Sequence, residues 1–177
     1  VFGRRAGCEA AVYTQAIEQS RVADSIAKQD EDMVKDLLKR KPSDDSIAKI
    51  RLDLGVTMNK NLGVFRDKEG MLMAQVTLRE LRDRWNRVAL EDKGRVFNTS
   101  LTRALELGMM LDCADTIVLG ALTRTESRGA HFRTDYISRD DEDWVKNILI
   151  NRGSDGTPRI EYVPVRITQW TPQARVY

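Results

Sequence analysis

Residues 126–144 of the chain read ESRGAHFRTDYISRDDEDW. Nine of these nineteen side chains are acidic or basic, and the same run holds the only histidine, His131, together with Gly129 and Trp144. A glycine, a histidine and a tryptophan are unusual among the charged residues of a solvent-exposed helix face. We therefore interpret the stretch as a loop that charge-assisted hydrogen bonds hold against another surface.

Three helices with matching apolar seams are predicted before this loop. The first begins near Ser46 and is closed by Gly63, the second begins after Asp67, and the third runs from about Thr99 to Arg124. The second helix has the clearest pattern, with apolar or aromatic residues at steps of three and four: Met71, Ala74, Leu78, Leu81, Trp85 and Val88. Such seams pack nearly parallel or antiparallel to a neighbour, so the pattern predicts a three-helix antiparallel bundle.

The amino-terminal part is also predicted to be helical. Over residues 1–19, small and apolar side chains share one face, and Gly3 and Gly7 permit the close approach of another backbone. A second short helix is predicted over residues 30–40, and Pro42 is expected to end it.

After the charged loop the hydrophobic period changes from helical to alternating. The run Gly153-Ser154-Asp155-Gly156 is a turn signal between two strand-like stretches, which predicts a β-hairpin over residues 144–165. Pro164 confines the second strand to an edge or to its own end, and the remaining residues are predicted to form an extended tail. The expected fold is mainly α: the bundle, then a small α+β lobe with the hairpin, preceded by a separate helix.

Composition limits the chemistry that the chain can carry. Its 177 residues have a net charge of only +2, which gives no general attraction to nucleic acid. Cys8 and Cys113, with one histidine, cannot supply an iron–sulfur cluster or a classical zinc site. No apolar run approaches the ~20 residues of a membrane span, and no GxGxxG motif announces a dinucleotide site. We therefore predict no catalytic, cofactor-binding or metal-ligating residue in this chain.

The charged stretch resembles the carboxy-terminal signature ESRGAHxRxDYPxRDDxxW of the flavoprotein subunit of succinate dehydrogenases and fumarate reductases. The positions that match the signature are Glu126, Ser127, Arg128, Gly129, Ala130, His131, Arg133, Asp135, Tyr136, Arg139, Asp140, Asp141 and Trp144. Residues 1–7 (VFGRRAG), 63–66 (GVFR) and 175–177 (RVY) agree with the family in order and rough spacing. The resemblance therefore covers nearly the whole chain.

The resemblance implies that the chain is a carboxy-terminal piece of a larger subunit. It divides the chain into residues 1–20, the terminal helix of the FAD-binding domain, and 21–42, a connecting helical segment. Residues 43–128 form the three-helix bundle, and residues 129–177 form the signature loop, hairpin and extended tail. The parent is expected to bind FAD, which this chain does not hold alone, and to transfer a hydride between succinate and the flavin. The family's flavin attachment site and substrate-binding residues lie before Val1, so none is carried over.

We expect the charged side chains of the loop to make interdomain or intersubunit contacts. These side chains are Glu126, Arg128, His131, Arg133, Asp135, Arg139, Asp140 and Asp141. A purely internal network and direct contact with the cofactor are the two alternatives. For His131 we favour a structural role, in which its ring nitrogens hold the loop, over a role as substrate contact or proton relay.

The partners that the resemblance implies are the rest of the flavoprotein subunit, an iron–sulfur subunit and, indirectly, membrane anchor subunits. In a bacterium the complex would lie at the cytoplasmic face of the inner membrane, whereas this chain alone is expected to be soluble and inactive. One alternative is an L-aspartate oxidase, against which Arg139-Asp140-Asp141, Trp144 and the hairpin argue. The other is a free-standing helical interaction module, and an exposed apolar strip on the first helix would argue against it.

Overall fold

The computed structural model describes residues 2–19, 21–41 and 43–173. The expected helix stop at Pro42 and the family-like residues 175–177 lie outside the described residues. The chain divides into two compact units that meet in sequence at Lys39 and Arg40, and each is described by itself.

The first unit contains two helices, α1 (Phe2–Ala16) and α2 (Asp24–Lys39). The first confirms the predicted helix, and none of its residues is buried. The second begins at Asp24, so the predicted start at residue 30 was wrong. Its early turns are mostly polar, with Ile26 and Ala27 as their apolar residues. Asp24 in the first turn and Lys39 in the last interact favourably with the helix dipole.

The second unit is built on the predicted antiparallel bundle of α3 (Ile47–Leu62), α4 (Lys68–Arg87) and α5 (Thr99–Thr123). Each helix begins after a side chain that accepts a hydrogen bond from the first turn, and these residues are Ser46, Asp67 and Asn98. Arg84, near the end of α4, donates hydrogen bonds to Asp45, just before α3, and to Asp53, in the second turn of α3. The end of α4 therefore lies beside the beginning of α3, as antiparallel packing requires.

The core of this unit consists of the facing seams of the three helices. Thirteen buried apolar residues form one cluster: Ile50, Leu54, Leu62, Met71, Ala74, Leu78, Leu81, Val88, Leu107, Leu111, Ala114, Val118 and Ala121. Trp85 packs against this cluster, and its indole N–H donates to the Ala104 carbonyl at 2.8 Å. Burial of this apolar surface is the main stabilising term of the bundle.

Two small sheets complete the second unit. The predicted hairpin is confirmed as β3 (Lys146–Arg152) paired with β4 (Pro158–Pro164), and Pro164 is the last residue of its strand. A second, parallel pair was not predicted; it consists of β1 (Phe65–Arg66) and β2 (Phe132–Arg133). The rings of Phe65 and Phe132 meet edge to face at 5.3 Å between centroids. This pair joins the α3–α4 connection to the charged loop. No helix in the described part of the chain has the length and apolar character that a membrane crossing needs.

Candidate functional site

The charged stretch of residues 126–144, here called the signature loop, connects the end of α5 to β3. Its first turn is closed by two backbone hydrogen bonds between Arg128 and His131, at 2.8 and 3.0 Å. Gly129 lies in this turn at φ +61°, a left-handed conformation that glycine adopts without a steric penalty. The hydroxyl of Ser127 accepts from the amide of Arg133 at 2.8 Å and donates to the carbonyl of Tyr136 at 2.7 Å. The loop therefore has one defined conformation.

Glu126 is the first residue of the signature loop, and its side chain is fully buried. Its carboxylate accepts from the guanidinium of Arg124, from two nitrogens of Arg128 at 2.8 and 3.0 Å, and from the amide of Asp140 at 2.9 Å. Burial raises the pKa of Glu126, but the hydrogen bonds from Arg128, Asp140 and Arg124 together lower it below the ordinary value. Glu126 is therefore a charged acceptor that holds both ends of the loop.

Arg124 joins the end of α5 to the hairpin. Its guanidinium donates to the carbonyls of Trp144 at 3.1 Å and Lys146 at 2.6 Å, and it lies 4.9 Å from the centroid of the Trp144 ring. Lys146 lies over the same ring at 4.7 Å. Trp144 is buried, and its indole N–H donates to Thr125 at 3.1 Å. The tryptophan and its cations thus fix the first strand of the hairpin against the helix end.

Arg133 and Asp135 form a second centre next to the first. Arg133 is only 1% exposed, and its guanidinium binds both carboxylate oxygens of Asp135 at 2.6 Å. Its remaining nitrogen donates to the carbonyls of Ala121 and Arg124, at 3.1 and 3.0 Å, at the end of α5. Hydrogen bonds from Arg133 lower the pKa of Asp135 to about 2, although burial opposes the change. Asp135 is therefore ionised at neutral pH.

A third group of contacts extends toward the tail. Arg128 donates to Asp141 at 2.7 Å, and Asp141 also accepts from Arg139 at 2.5 Å. Arg139 in turn donates to the backbone carbonyl of Gln173 at 2.5 Å. The carboxylate of Asp140 accepts from the amides of Glu142 and Asp143 at 3.0 and 2.9 Å. These bonds connect the centre of the loop to the extended residues after β4.

His131 lies at the edge of the network and is partly buried. One ring nitrogen lies 3.4 Å from the carbonyl oxygen of Arg124. Burial is the largest effect on the pKa of His131 and lowers it, and the charges of Arg66, Arg133 and Arg124 lower it further, although the Arg124 carbonyl raises it. The neutral ring is therefore favoured at neutral pH, in keeping with a structural role in the loop.

The structure brings all eight predicted contact residues into one region. Within the chain, all eight take part in the ion pairs and hydrogen bonds just described, His131 through its backbone and one ring nitrogen. These bonds form an internal network, and a contact of the same residues with another domain or subunit stays a prediction. Arg124 was not among the predicted contact residues, because it precedes the signature and was predicted only as the end of a helix. An arginine at a helix end before an acidic loop was the available signal.

The described residues do not fit FAD. A dinucleotide site places a glycine-rich turn between a strand and a helix, so that amides reach the pyrophosphate. Here Gly3 and Gly7 lie within α1, and the strands form only two-stranded sheets. Over residues 2–19, 21–41 and 43–173, no three His, Cys, Asp or Glu side chains are grouped to hold a metal ion. No step of a flavin reaction is assigned to these residues.

Comparison with known proteins decides the family. Residues 51–177 match the family model described as the fumarate reductase flavoprotein C-terminal region. The chain belongs to this family. The match includes the bundle, the signature loop and the hairpin, so the family region coincides with most of the second unit.

Curated members of the fumarate reductase and succinate dehydrogenase flavoproteins agree with this assignment. The fumarate reductase flavoprotein subunit of Haemophilus influenzae is 41% identical over all of this chain and 30% of its own length. The Mycobacterium tuberculosis subunit of the same name is 40% identical over 100% of the chain and 31% of its length. The succinate dehydrogenase flavoprotein subunit of Rickettsia conorii is 37% identical over 74% of the chain and 23% of its length. The chain thus spans less than a third of these relatives.

Several solved structures share the fold. A quinol-fumarate reductase with menaquinol molecules superposes with a TM-score of 0.87 at 36% identity, over 97% of this chain and 30% of the other. The Mycobacterium smegmatis Sdh1 complex in the apo form gives 0.79 at 29% identity, over 96% and 29%. Adenylylsulfate reductase from Archaeoglobus fulgidus is similar in fold alone. It superposes with a TM-score of 0.72 at 19% identity, over 90% of this chain and 27% of the other.

Proposed function

We propose that the chain acts as the carboxy-terminal region of a succinate dehydrogenase or fumarate reductase flavoprotein subunit. In this role it supports the FAD-binding domain and takes part in docking the iron–sulfur subunit. The division into residues 1–20, 21–42, 43–128 and 129–177 that the resemblance implies belongs to the same proposal. The exposure of α1 is the observation that carries it.

Helix α1 has apolar side chains but no buried residue. Phe2 is 82% exposed, and Val12 and Tyr13 are each 64% exposed. A helix of 15 residues is marginal in water unless an apolar face is packed against a neighbour. An added Cβ atom at Gly3 or Gly7 would meet nothing within 4 Å, so room for a close backbone neighbour is open there. The FAD-binding domain of the parent subunit would cover this face, whereas a free-standing module has no use for it.

The reaction that we propose for the parent is hydride transfer between succinate and FAD. Electrons would then pass singly through the iron–sulfur clusters of the partner subunit, to or from a quinone. The flavin would be held outside this chain, because the described residues do not fit a dinucleotide, and the family resemblance implies the same for the substrate. Relatives of both names align with the chain, so succinate oxidation and fumarate reduction are alternative physiological directions.

The signature loop is the surface that we propose for contact with the rest of the enzyme. Its internal ion pairs hold the loop in the conformation that would meet a partner. Less conformational entropy is then lost when the partner binds. Tyr136 and Ile137 at its tip are 44% and 68% exposed, next to Arg139 and Asp141. The membrane would be reached only through other subunits, at the cytoplasmic face of the inner membrane in a bacterium.

A chimera tests the proposal directly. The aligned third of the Haemophilus influenzae subunit is replaced by this chain and expressed with the other subunits of that enzyme. We expect the purified chimera to retain flavin absorbance and to reduce fumarate. A folded chimera that retains neither the flavin nor the partner subunits would contradict the proposal.

A matched pair of variants tests the role of α1 in the same chimera. Tyr13→Asp places a charge on the exposed apolar face and is expected to reduce flavin retention severalfold. Gln15→Asp makes the same change of charge at a polar position of the helix and is expected to have little effect. Equal flavin retention in the two variants would exclude packing of this face on the flavin domain.

A further inference from the structure

A cleft of about 550 Å³ lies between α5, the first strand of the hairpin and the signature loop. Its lining includes the basic residues Arg66 and Arg124, the ring of His131, and the apolar side chains of Ile148 and Ile150. None of the described residues that line it is acidic. The cleft is wide open to solvent, and it combines apolar side chains with a few polar groups, as small-molecule sites do.

Arg66 is the charged group of the cleft that the structure leaves uncompensated. Arg124 is paired with Glu126, and the nearby Arg133 is paired with Asp135. In the described part of the chain, no carboxylate lies within ion-pair distance of Arg66, and its guanidinium makes one hydrogen bond, to the carbonyl of Ala130 at 3.4 Å.

The Nε atom of Arg66 strengthens this point. It is buried and has no hydrogen-bond acceptor among the described residues. Buried donors are almost always satisfied, and an unsatisfied donor on a cation is especially costly. Burial without a counter-charge also lowers the pKa of Arg66. An anionic acceptor in the cleft would satisfy both the charge and the donor.

We propose that this cleft binds a small organic anion, whose carboxylate accepts hydrogen bonds from Arg66 and whose apolar part lies against Ile148 and Ile150. A carboxylate matches the planar fork of a guanidinium. Thr116 and Asn147, at the exposed part of the cleft, add polar side chains for a second oxygen. The cleft is formed by residues of this chain alone, so its test does not need the parent enzyme.

The test uses the full 177-residue chain and sodium butyrate as the probe. We expect saturable shifts of the backbone amide signals of Gly120 and Asn147 in two-dimensional NMR spectra. Inorganic phosphate at the same ionic strength is expected to bind more weakly, because it makes no use of the apolar wall. Arg66→Met, which keeps the length of the side chain, is expected to weaken butyrate binding at least about tenfold.

Two further variants keep the test decisive. Arg79→Met removes the same charge from an exposed position of α4 and is expected to leave butyrate affinity unchanged. Asn147→Asp places a negative charge at the exposed wall and is expected to weaken binding without touching Arg66. The proposal is overturned if butyrate gives no saturable shift, if phosphate binds as tightly, or if Arg66→Met and Arg79→Met behave alike. Failure of the chimera described above would leave this result unaffected, so the two proposals fail separately.

Discussion

Arg133 and Asp135 form one ion pair that caps two different helices. The guanidinium donates to carbonyls at the end of α5, and Asp135 accepts from the backbone amide of Lys68, at 3.1 Å, at the start of α4. Each charge has the sign that the helix end favours, because carbonyls at a carboxyl terminus attract a cation and amides at an amino terminus attract an anion. The pair therefore acts as a clamp between two antiparallel helices.

Removing the charge of Asp135 is expected to destabilise the chain. Asp135→Asn leaves the buried guanidinium of Arg133 without its counter-charge, so we expect the free energy of unfolding to fall by about 3 kcal/mol. Urea denaturation followed by circular dichroism measures the change. Asp143→Asn, at an exposed position of the same loop, is the control and should change stability by less than about 0.5 kcal/mol. Equal effects of the two variants would show that the clamp contributes nothing.

The same pair predicts a dependence of stability on pH. The pKa of Asp135 is about 2, against an ordinary value of 3.8. A carboxyl with a depressed pKa in the folded state stabilises the fold above its unfolded pKa and loses this contribution as pH falls through the folded value. We therefore expect the free energy of unfolding to decline from roughly pH 4 to pH 2.

Glu126 adds to this decline, since its pKa is also lowered in the folded state. Asp135→Asn removes only the part that Asp135 contributes, so its pH profile should be shallower than that of the unaltered chain. Urea denaturation at several pH values measures both slopes. Identical slopes would mean that Asp135 titrates alike in the folded and unfolded chain.

Glu126 is expected to be more sensitive than any exposed acid of the loop. Glu126→Gln keeps the shape of a fully buried side chain but removes the charge that faces Arg124 and Arg128, with an expected loss of about 3–5 kcal/mol. Glu142→Gln, at an exposed position, should stay near the unaltered chain. Thermal denaturation of both variants measures the loss of stability. A loss below about 1 kcal/mol for Glu126→Gln would contradict the proposal that this carboxylate holds the loop together.

Two helical glycines are expected to respond in opposite directions to alanine. At Gly108 an added Cβ would lie 2.8 Å from the Trp85 ring, so Gly108→Ala should destabilise the contact between α4 and α5 by about 1–3 kcal/mol. At Gly55 a Cβ meets nothing within 4 Å, so Gly55→Ala should stabilise α3 by up to about 1 kcal/mol through helix propensity. Denaturation midpoints of the two variants test both signs, and a stabilised Gly108→Ala would contradict the packing described for Trp85.

The helices of the bundle and the hairpin could be predicted because each repeats a local pattern. Met71, Ala74 and Leu78 recur at helical spacing, and the turn at residues 153–156 separates two alternating strands. The pair β1–β2 has two residues in each strand, so it has no period to detect. The early start of α2 was missed for a related reason, since its first turns carry no apolar stripe.

For the charged site, residue types were predictable but partners were not. The density of arginines and acids in residues 126–144 predicted a loop held by charge-assisted hydrogen bonds against another surface; the bonds seen lie within the chain, and the contact with another surface stays a prediction. The pairing of acids with arginines depends on where α5 ends and on how the loop turns back. Neither can be deduced from the spacing of the charged residues in the sequence. Arg124 and the amide of Lys68 are the clearest examples, because both come from neighbouring helices and only the fold brings them to the loop.

The clamp has a consequence for the order of events during synthesis. The carboxylate that caps the start of α4 lies 67 residues after the amide of Lys68 that it binds. Once the ribosome has made α5, the bundle therefore has its full hydrophobic seam, but the end of α5 and the start of α4 still lack their charged caps. We expect a nascent chain that stops before residue 133 to hold these helix ends less firmly than the complete loop does.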